Sequence, residues 1–228
     1  MFRLLFTIKM LKDKRLNTVF EMVPECGICA DIGTDHGKLG CALLQAEKCE
    51  TVWFSDLSSD SLQKARELAG RKGFTQRAAF FVGDGAACLP GSPDCAVIAG
   101  MGGQTICHIL KEGIQKLADT ILVLGANVGE GDLRRFLMEN RFRIDEERAV
   151  EEGGRHYALM RVSAGEMNLS EEEILAGPIL LRSRDAQTRS YAAARLTAAQ
   201  AALNGALRSE TADKEKLMFE VETWRKLI

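Results

Sequence analysis

A chain of 228 residues, 46% of them hydrophobic and 27% charged, can bury a sizeable core and reads as one domain, or one plus an appendage. Its formal net charge of −2 excludes a uniformly basic nucleic-acid coat, though not a local basic patch. Seven cysteines, an odd number spread from Cys26 to Cys107, make no disulfide framework and predict a reducing, cytoplasmic setting. Taken in order, the chain opens with the apolar piece Leu4 to Ile8, too short for a secretory core; no run reaches membrane-spanning length. Leu11, Leu16, Val19, Phe20 and Val23 then form a helical stripe that stops at Pro24. Its outer face is basic: Arg3, Lys9, Lys12, Lys14 and Arg15 stand against Asp13 alone among the first sixteen residues.

The next stretch organises the rest. Ile28 to Ile32 reads as a strand, Gly33 to Gly37 as a glycine turn, and the residues from Leu39 as a helix. Such a turn lets the backbone approach a ligand and aims free N–H groups of the helix at it, although a purely structural turn uses the same glycines. The second glycine of a dinucleotide fingerprint falls at Asp35, and an aspartate there repels a pyrophosphate. S-adenosylmethionine, whose tail carries an ammonium and a carboxylate in place of phosphates, suits the turn better, with Asp31 and Asp35 facing its cationic parts. Cys26-Gly27-Ile28-Cys29 has the C-x-x-C form, but no second pair follows and Cys29 belongs to the strand, so no metal site is expected.

Thr51 to Asp56 is the second strand, and Asp56 ends it twenty-three residues after Gly33. At that distance in a βαβ unit an acid accepts both ribose hydroxyls, so Asp56, with Leu57 beside it, is assigned to the cofactor. Capping of the following helix, Asp60 to Gly70, falls to Ser58, Ser59 or Asp60 instead. Ala79 to Val82 is the third strand and ends in Gly83-Asp84-Gly85, where Asp84 suits an exocyclic amine and a plain tight turn suits the sequence equally. The nearly all-apolar Asp94 to Ala99 runs into Gly100-Met101-Gly102-Gly103, read as an exposed flexible tip before a helix from Thr105 to Gly113. Ile121 to Leu124 is a fifth strand, ending at Gly125-Ala126-Asn127. Five tips carrying glycine or an acid mark the ligand edge of an open α/β sheet.

Leu133 to Asn140 is a helix, after which Arg143 to Val150 and Tyr157 to Val162 flank Glu151-Glu152-Gly153-Gly154-Arg155 as an antiparallel hairpin. A polar connector, Ser163 to Ser170, leads to a helical turn at Glu171 to Glu173, a break at Gly177-Pro178, and an almost wholly helix-forming tail. With breaks at Asn204-Gly205 and Ser209 to Asp213, and a stripe of Leu217, Val221, Trp224 and Ile228, the tail reads as an antiparallel, coiled-coil-like helical hairpin. Packing is favoured over an RNA-gripping role for it.

With these residues in view, the chain resembles the bacterial tRNA (adenine-N1)-methyltransferases that act on adenosine 22. The likeness runs from Leu11 onward through Lys14-Arg15-Leu16, Ala30-Asp31-Ile32-Gly33-Thr34-Asp35-His36-Gly37, the Gly83 to Gly85 turn, and Ile98-Ala99-Gly100-Met101-Gly102-Gly103. It continues through Asn127-Val128-Gly129, Leu133 to Asn140, the Glu151 to Tyr157 hairpin and Gly177 to Leu181. The resemblance implies a Rossmann-like class I methyltransferase whose parallel sheet is closed by the hairpin, over residues 1–165 with a basic helical segment at 1–23, followed by a coiled-coil domain over 166–228. It implies S-adenosyl-L-methionine as cofactor, held by Asp31, Gly33, Asp56, Leu57, Asp84, Gly85, Gly100 and Met101, and no metal. It also implies tRNA as partner, no membrane, and a monomer, with Gly102 and Gly103 near the target base. Asp35, His36 and Asn127 are the expected catalytic acceptors, and Lys12, Lys14, Arg15, Arg182 and Arg189 the expected phosphate contacts. Gly125-Ala126-Asn127 stands where the family pattern has Gln-Pro-Asn, and Lys38 where an aromatic is common. Residues 1–9 read as a dispensable extension. The alternatives are a methyltransferase for another RNA, a protein or a small molecule, and a binding protein without catalysis.

Overall fold

The computed structural model describes residues 11–207 and 213–228. Arg3, Lys9, the extension before Met10 and most of the Ser209 to Asp213 break lie outside those residues. Among the described residues, seven strands make one sheet in the order β3-β2-β1-β4-β5-β7-β6. They are β1 (Cys26–Ile32), β2 (Cys49–Asp56), β3 (Ala78–Val82), β4 (Cys95–Met101), β5 (Ile121–Ala126), β6 (Phe142–Glu152) and β7 (Arg155–Ala164). The first five are mutually parallel, and β7 runs antiparallel to β5 and β6. This is the Rossmann-like sheet closed by a hairpin that the sequence predicts.

The helices cover both faces, which is why the central strands are mainly apolar. On one face α1 (Lys14–Met22), α2 (Lys38–Gln45) and α3 (Ser59–Arg71) bury Val19, Met22, Leu43 and Leu62 against Cys29, Val52, Phe54 and Val97. On the other, α4 (Gly103–Glu112), the short α5 (Ile114–Leu117) and α6 (Glu130–Glu139) bury Ile106, Leu110, Leu133 and Leu137 against Ala96, Ile98, Leu122 and Met160. Each such fully buried aliphatic side chain contributes about 1.5–3 kcal/mol. α1 starts where the Asp13 carboxylate accepts the Leu16 N–H at 2.9 Å. The hairpin turns on Gly153 and Gly154, both with positive φ.

The tail begins with α7 (Glu171–Ala176), which carries a complete capping box between Ser170 and Glu173. Its long helix α8 (Ala186–Ala206) lies along the hairpin, with Tyr191 and Ala192 packed among Ala149 and Ala158, and α9 (Lys214–Arg225) returns beside it. Trp224 meets Tyr191 edge-on, with ring centroids 5.6 Å apart. The buried apolar residues of α9 are Val221 and Trp224; beyond the helix end at Arg225, Leu227 is buried and Ile228, expected in the stripe, is exposed.

One expectation is overturned at β4. Gly100 to Gly103 do not form a flexible tip: the strand continues through Met101 by shifting register against β5 beyond Ala99, and Met101 pairs with Ala126. Cys29 lies in β1 as expected, the strand starts earlier, at Cys26, and Cys26 meets Cys49 of β2 with 3.5 Å between sulfurs, at the sheet edge opposite the strand tips discussed next.

Candidate cofactor and substrate site

The parallel strands deliver their C-terminal ends to one edge, in the spatial order β3, β2, β1, β4, β5. At the tip of β1 the chain leaves the sheet through Gly33, whose φ of +72° places the position of a Cβ 2.6 Å from the Met101 methyl. The turn is tied to β2 by two hydrogen bonds, the N–H groups of Gly33 and Thr34 donating to the Ser55 carbonyl at 2.8 and 3.2 Å. Asp31, buried beneath it, accepts from the Thr34 hydroxyl at 2.7 Å and from the Gly40 N–H at 3.2 Å. Burial pushes its carboxyl up to about 6; those two bonds resist the rise and the charge of Asp56 adds to it. Asp31 therefore braces the turn while still lining the cleft above it.

Asp56 stands at the tip of β2. One oxygen accepts the Ser58 N–H at 2.9 Å and the other the Asp35 N–H at 3.2 Å, so each keeps a lone pair for a ligand. Ser58 is the residue that caps α3, through the Ser61 N–H. Leu57 beside it is 72% exposed, an apolar surface next to the acid. Asp84 at the tip of β3 is open to solvent, and its carboxylate lies 3.6 Å from Nε2 of His108 on α4. His108 is absent from the sequence-based site. It is brought in only by the packing of α4 next to the β3 tip, and no local pattern announces it.

Asp35 has the left-handed backbone, φ +53°, that aspartate tolerates better than most residues. Its carboxylate holds Nδ1 of His36 at 2.7 Å, with both side chains at the mouth of the cleft. That cleft has a volume of about 350 Å³, and its walls include Asp13, Arg15, Asp31, Gly33, Asp35 and Gly100. Arg15, expected on the RNA-facing surface, is turned into it. Its guanidinium carbon lies 5.4 Å from the Tyr157 ring centroid, and its Nη1 is buried with no hydrogen-bond partner among the described residues.

At the tip of β5, Asn127 is used by the protein twice. Its N–H donates to the Met101 carbonyl at 2.8 Å, and its side-chain Nδ2 to the Gly100 carbonyl at 2.7 Å. Its amide oxygen remains as an acceptor. A second hollow beyond it is lined by Asn127, Val128, Arg155, His156, Tyr157 and Arg195. Two of the glycines assigned to this edge are buried. Gly103 is buried at the start of α4, where it lets the chain pass close to the Gly129 carbonyl, and Gly85 is buried with its carbonyl accepting from the Ser55 hydroxyl. Lys12 and Lys14 are exposed at the start of α1, where the Lys14 backbone N–H donates to the Glu152 carboxylate at 2.8 Å. Arg182 pairs with Glu173 at 2.9 Å, and Arg189 donates to the Arg184 carbonyl. Among the described residues no group of three or more His, Cys, Asp or Glu is arranged to hold a metal ion, and no helix is long and apolar enough to cross a membrane.

Comparison with known proteins bears on this geometry. A family model described as a methyltransferase domain matches residues 12–160. The tRNA (adenine(22)-N(1))-methyltransferase of Bacillus subtilis is 30% identical over 182 residues, 76% of each chain. Among solved structures, Streptococcus pneumoniae Sp1610 in complex with S-adenosyl-L-methionine superposes with a TM-score of 0.85 at 27% identity, covering 94% of this chain and 99% of that one. The B. subtilis enzyme TrmK shares the fold, with a TM-score of 0.86 at 24% identity over 96% of this chain and 100% of that one.

Proposed function

The chain belongs to the bacterial tRNA (adenine(22)-N1)-methyltransferase family, and from that premise we propose that it methylates N1 of an adenosine in tRNA, at position 22, using S-adenosylmethionine. The observation that carries the assignment of the site is the Asp56 carboxylate, free to accept at the tip of β2 beside the Gly33 turn. The residues present fit the cofactor. A glycine cradle with an aspartate in it disfavours a pyrophosphate, Asp56 suits a ribose, and Leu57 and Asp84 suit an adenine ring and its amine. When bound, S-adenosylmethionine supplies a methyl group on a positively charged sulfur.

N1 of neutral adenine already carries a free lone pair, so no residue has to expose the nucleophile. The protein's tasks are access and charge. Because N1 lies on the pairing edge, the base has to leave its stack to enter the site. As the purine ring gains positive charge its exocyclic amine becomes a stronger donor, and the Asn127 amide oxygen, Asp35 and His36 are the acceptors for it. Asp35 holds His36 through Nδ1 and thereby leaves Nε2 as the nitrogen directed to substrate.

Residues 1–165 form the methyltransferase domain in this reading and 166–228 a helical domain that extends the RNA-binding face. Lys12, Lys14 and Arg189 contact phosphates, while Arg182 contributes less because Glu173 neutralises it. The enzyme acts as a cytoplasmic monomer.

The test is to incubate the purified protein with labelled S-adenosylmethionine and unmodified tRNA, then map the modified nucleosides by mass spectrometry. N1-methyladenosine at position 22, lost when that nucleotide is guanosine, is the expected product. Tight cofactor binding with no labelled tRNA would overturn the substrate.

A further inference from the structure

We propose that Cys26 and Cys49 are a reversible oxidation site, a thiol pair that a peroxide converts to a disulfide joining the first residues of β1 and β2. The pair lies at the sheet edge away from the strand tips, so the proposal does not rest on the cofactor or the substrate.

The two residues are 23 apart in the chain but face each other directly across the parallel ladder of β1 and β2, with 3.5 Å between their sulfurs. Neighbouring strands run roughly 5 Å apart, inside the span of roughly 4.4–6.8 Å between Cα atoms that a disulfide accepts. Only a rotation of the thiols separates contact from a bond. Two further cysteines adjoin the pair: the Cys29 thiol contacts Cys26, Cys49 and Cys95. Cys29, Cys49 and Cys95 are buried in the core, where a thiol packs as a small apolar group, whereas Cys26 is half-exposed and open to a small oxidant.

The surroundings of Cys26 favour its thiolate, the form that reacts. In that form the thiols of Cys29 and Cys49 donate to its sulfur and hold it down to about 4, Lys48 adding to the effect while burial and Asp94 oppose it. Lys48 is fixed nearby, its Nζ donating to the Phe20 carbonyl at 2.7 Å. Cys88 and Cys107 are equally half-exposed, but burial pushes both thiols up. No group of three or more metal-ligating residues is arranged to hold an ion among the described residues, which leaves redox chemistry as the use of the pair.

The reaction has two steps. The Cys26 thiolate attacks one peroxide oxygen; an S–O bond forms, the O–O bond breaks, and hydroxide leaves to take up the proton that Cys26 had released. The Cys49 sulfur then attacks the sulfenic sulfur of Cys26. An S–S bond forms, the S–O bond breaks, and the departing hydroxide carries off the Cys49 proton as a second water. The two thiols lose two electrons, and the peroxide gains them. A resolving thiol so close keeps Cys26 on the reversible rung of oxidation, from which a dithiol reductant restores it.

The test treats the reduced full chain with hydrogen peroxide, alkylates the remaining thiols under denaturing conditions and maps the peptides by mass spectrometry without reduction. The expected product is a cross-link between Cys26 and Cys49 that dithiothreitol reverses, with Cys26 consumed about tenfold or more faster than Cys88 and Cys107. Cys29→Ala should keep the cross-link and Cys26→Ser should abolish it. A cross-link that survives in Cys26→Ser, oxidation of Cys26 to the sulfinic acid with Cys49 still alkylated, or equal rates at Cys26, Cys88 and Cys107 would each overturn the proposal. Should Cys29→Ala not fold, fragmentation of the wild-type peptide between Cys26 and Cys29 places the bond on one or the other and decides the matter.

Discussion

Arg134 on α6 and Glu147 on β6 meet at 2.9 Å, Nε to Oε1, with neither side chain exposed to solvent. Around the pair, Arg134 Nη1 donates to the carbonyls of Ile174 and Leu175 at 3.1 and 3.0 Å. Glu147 Oε2 accepts from the N–H groups of Ile179 and Leu180 at 2.9 and 3.4 Å. One charged pair thus satisfies four backbone groups of the connection to the tail and fixes where α7 ends and α8 can begin.

Removing one partner strands the other. Arg134→Met is expected to destabilise the protein by about 3–5 kcal/mol, read as a lower urea midpoint, because the Glu147 carboxylate stays buried without its cation. The double variant Arg134→Met with Glu147→Leu should recover a large part of that loss. A single variant as stable as the parent would mean that the pair is solvated.

Gly177 faces the same pair. Its φ is +98°, and a Cβ there would lie 2.6 Å from one Glu147 oxygen and 2.7 Å from the other. Gly177→Ala combines backbone strain of roughly 1–3 kcal/mol with displacement of the carboxylate. Thermal melting should show a drop larger than that of an alanine at the exposed Gly205, where nothing lies within 4 Å.

At the cofactor edge, Asp56→Ala should weaken S-adenosylhomocysteine by roughly 1.5–3 kcal/mol, about ten- to a hundredfold, the worth of hydrogen bonds to a charged acceptor. Calorimetry checks this. Melting of the unliganded protein should move far less, since Ser58 still caps α3.

The elevated carboxyl of Asp31 makes a pH signature. Its ordinary value is 3.8 and burial takes it to about 6. Between those values the folded chain holds a proton that the unfolded chain has released, so this group's contribution favours folding at low pH and is lost as pH rises through 6. Asp31→Asn retains an acceptor for Thr34 and Gly40 without titrating. Its stability relative to the parent should therefore increase between pH 4 and 6 and level off above, by roughly 1–3 kcal/mol. Ligand binding should run the other way: if Asp31 faces the ammonium of the tail, the parent's affinity for S-adenosylhomocysteine declines as pH drops through about 6 and that of Asp31→Asn does not.

Asp35→Ala is expected to lower kcat about tenfold to a hundredfold through loss of the acceptor and of His36 positioning. The Kd for S-adenosylhomocysteine should stay within about threefold. Steady-state kinetics and calorimetry separate the two, and equal loss in both would make Asp35 a binding residue only.

The sheet was legible because its parallel strands are mainly apolar and end on glycines and acids. Periodicity shows both features directly. Asp56 was legible for the same reason, lying one strand and a fixed distance beyond Gly33. The β4 extension was not, since Gly-Met-Gly-Gly has low strand propensity and pairs only because Asn127 and Ala126 are there to receive it. Nor were Arg134, Glu147 and His108, whose partners lie 13 to 41 residues away in the first two cases and across two elements in the third. Arg15 reads in sequence as one more base in a basic segment; only its rotation on α1 toward Tyr157 separates it from Lys12 and Lys14.

The clamp at Asn127 limits what mutagenesis can say about the reaction. One end of the side-chain amide holds the Gly100 carbonyl, and the other is the acceptor proposed above for the substrate's amine. Alanine removes both at once, and aspartate replaces the donor with an oxygen facing another oxygen. No replacement at this position removes the acceptor alone and leaves the strand tips as they are. The informative change lies on the RNA: a tRNA carrying purine riboside, which has no exocyclic amine, silences the same hydrogen bond while the protein stays untouched.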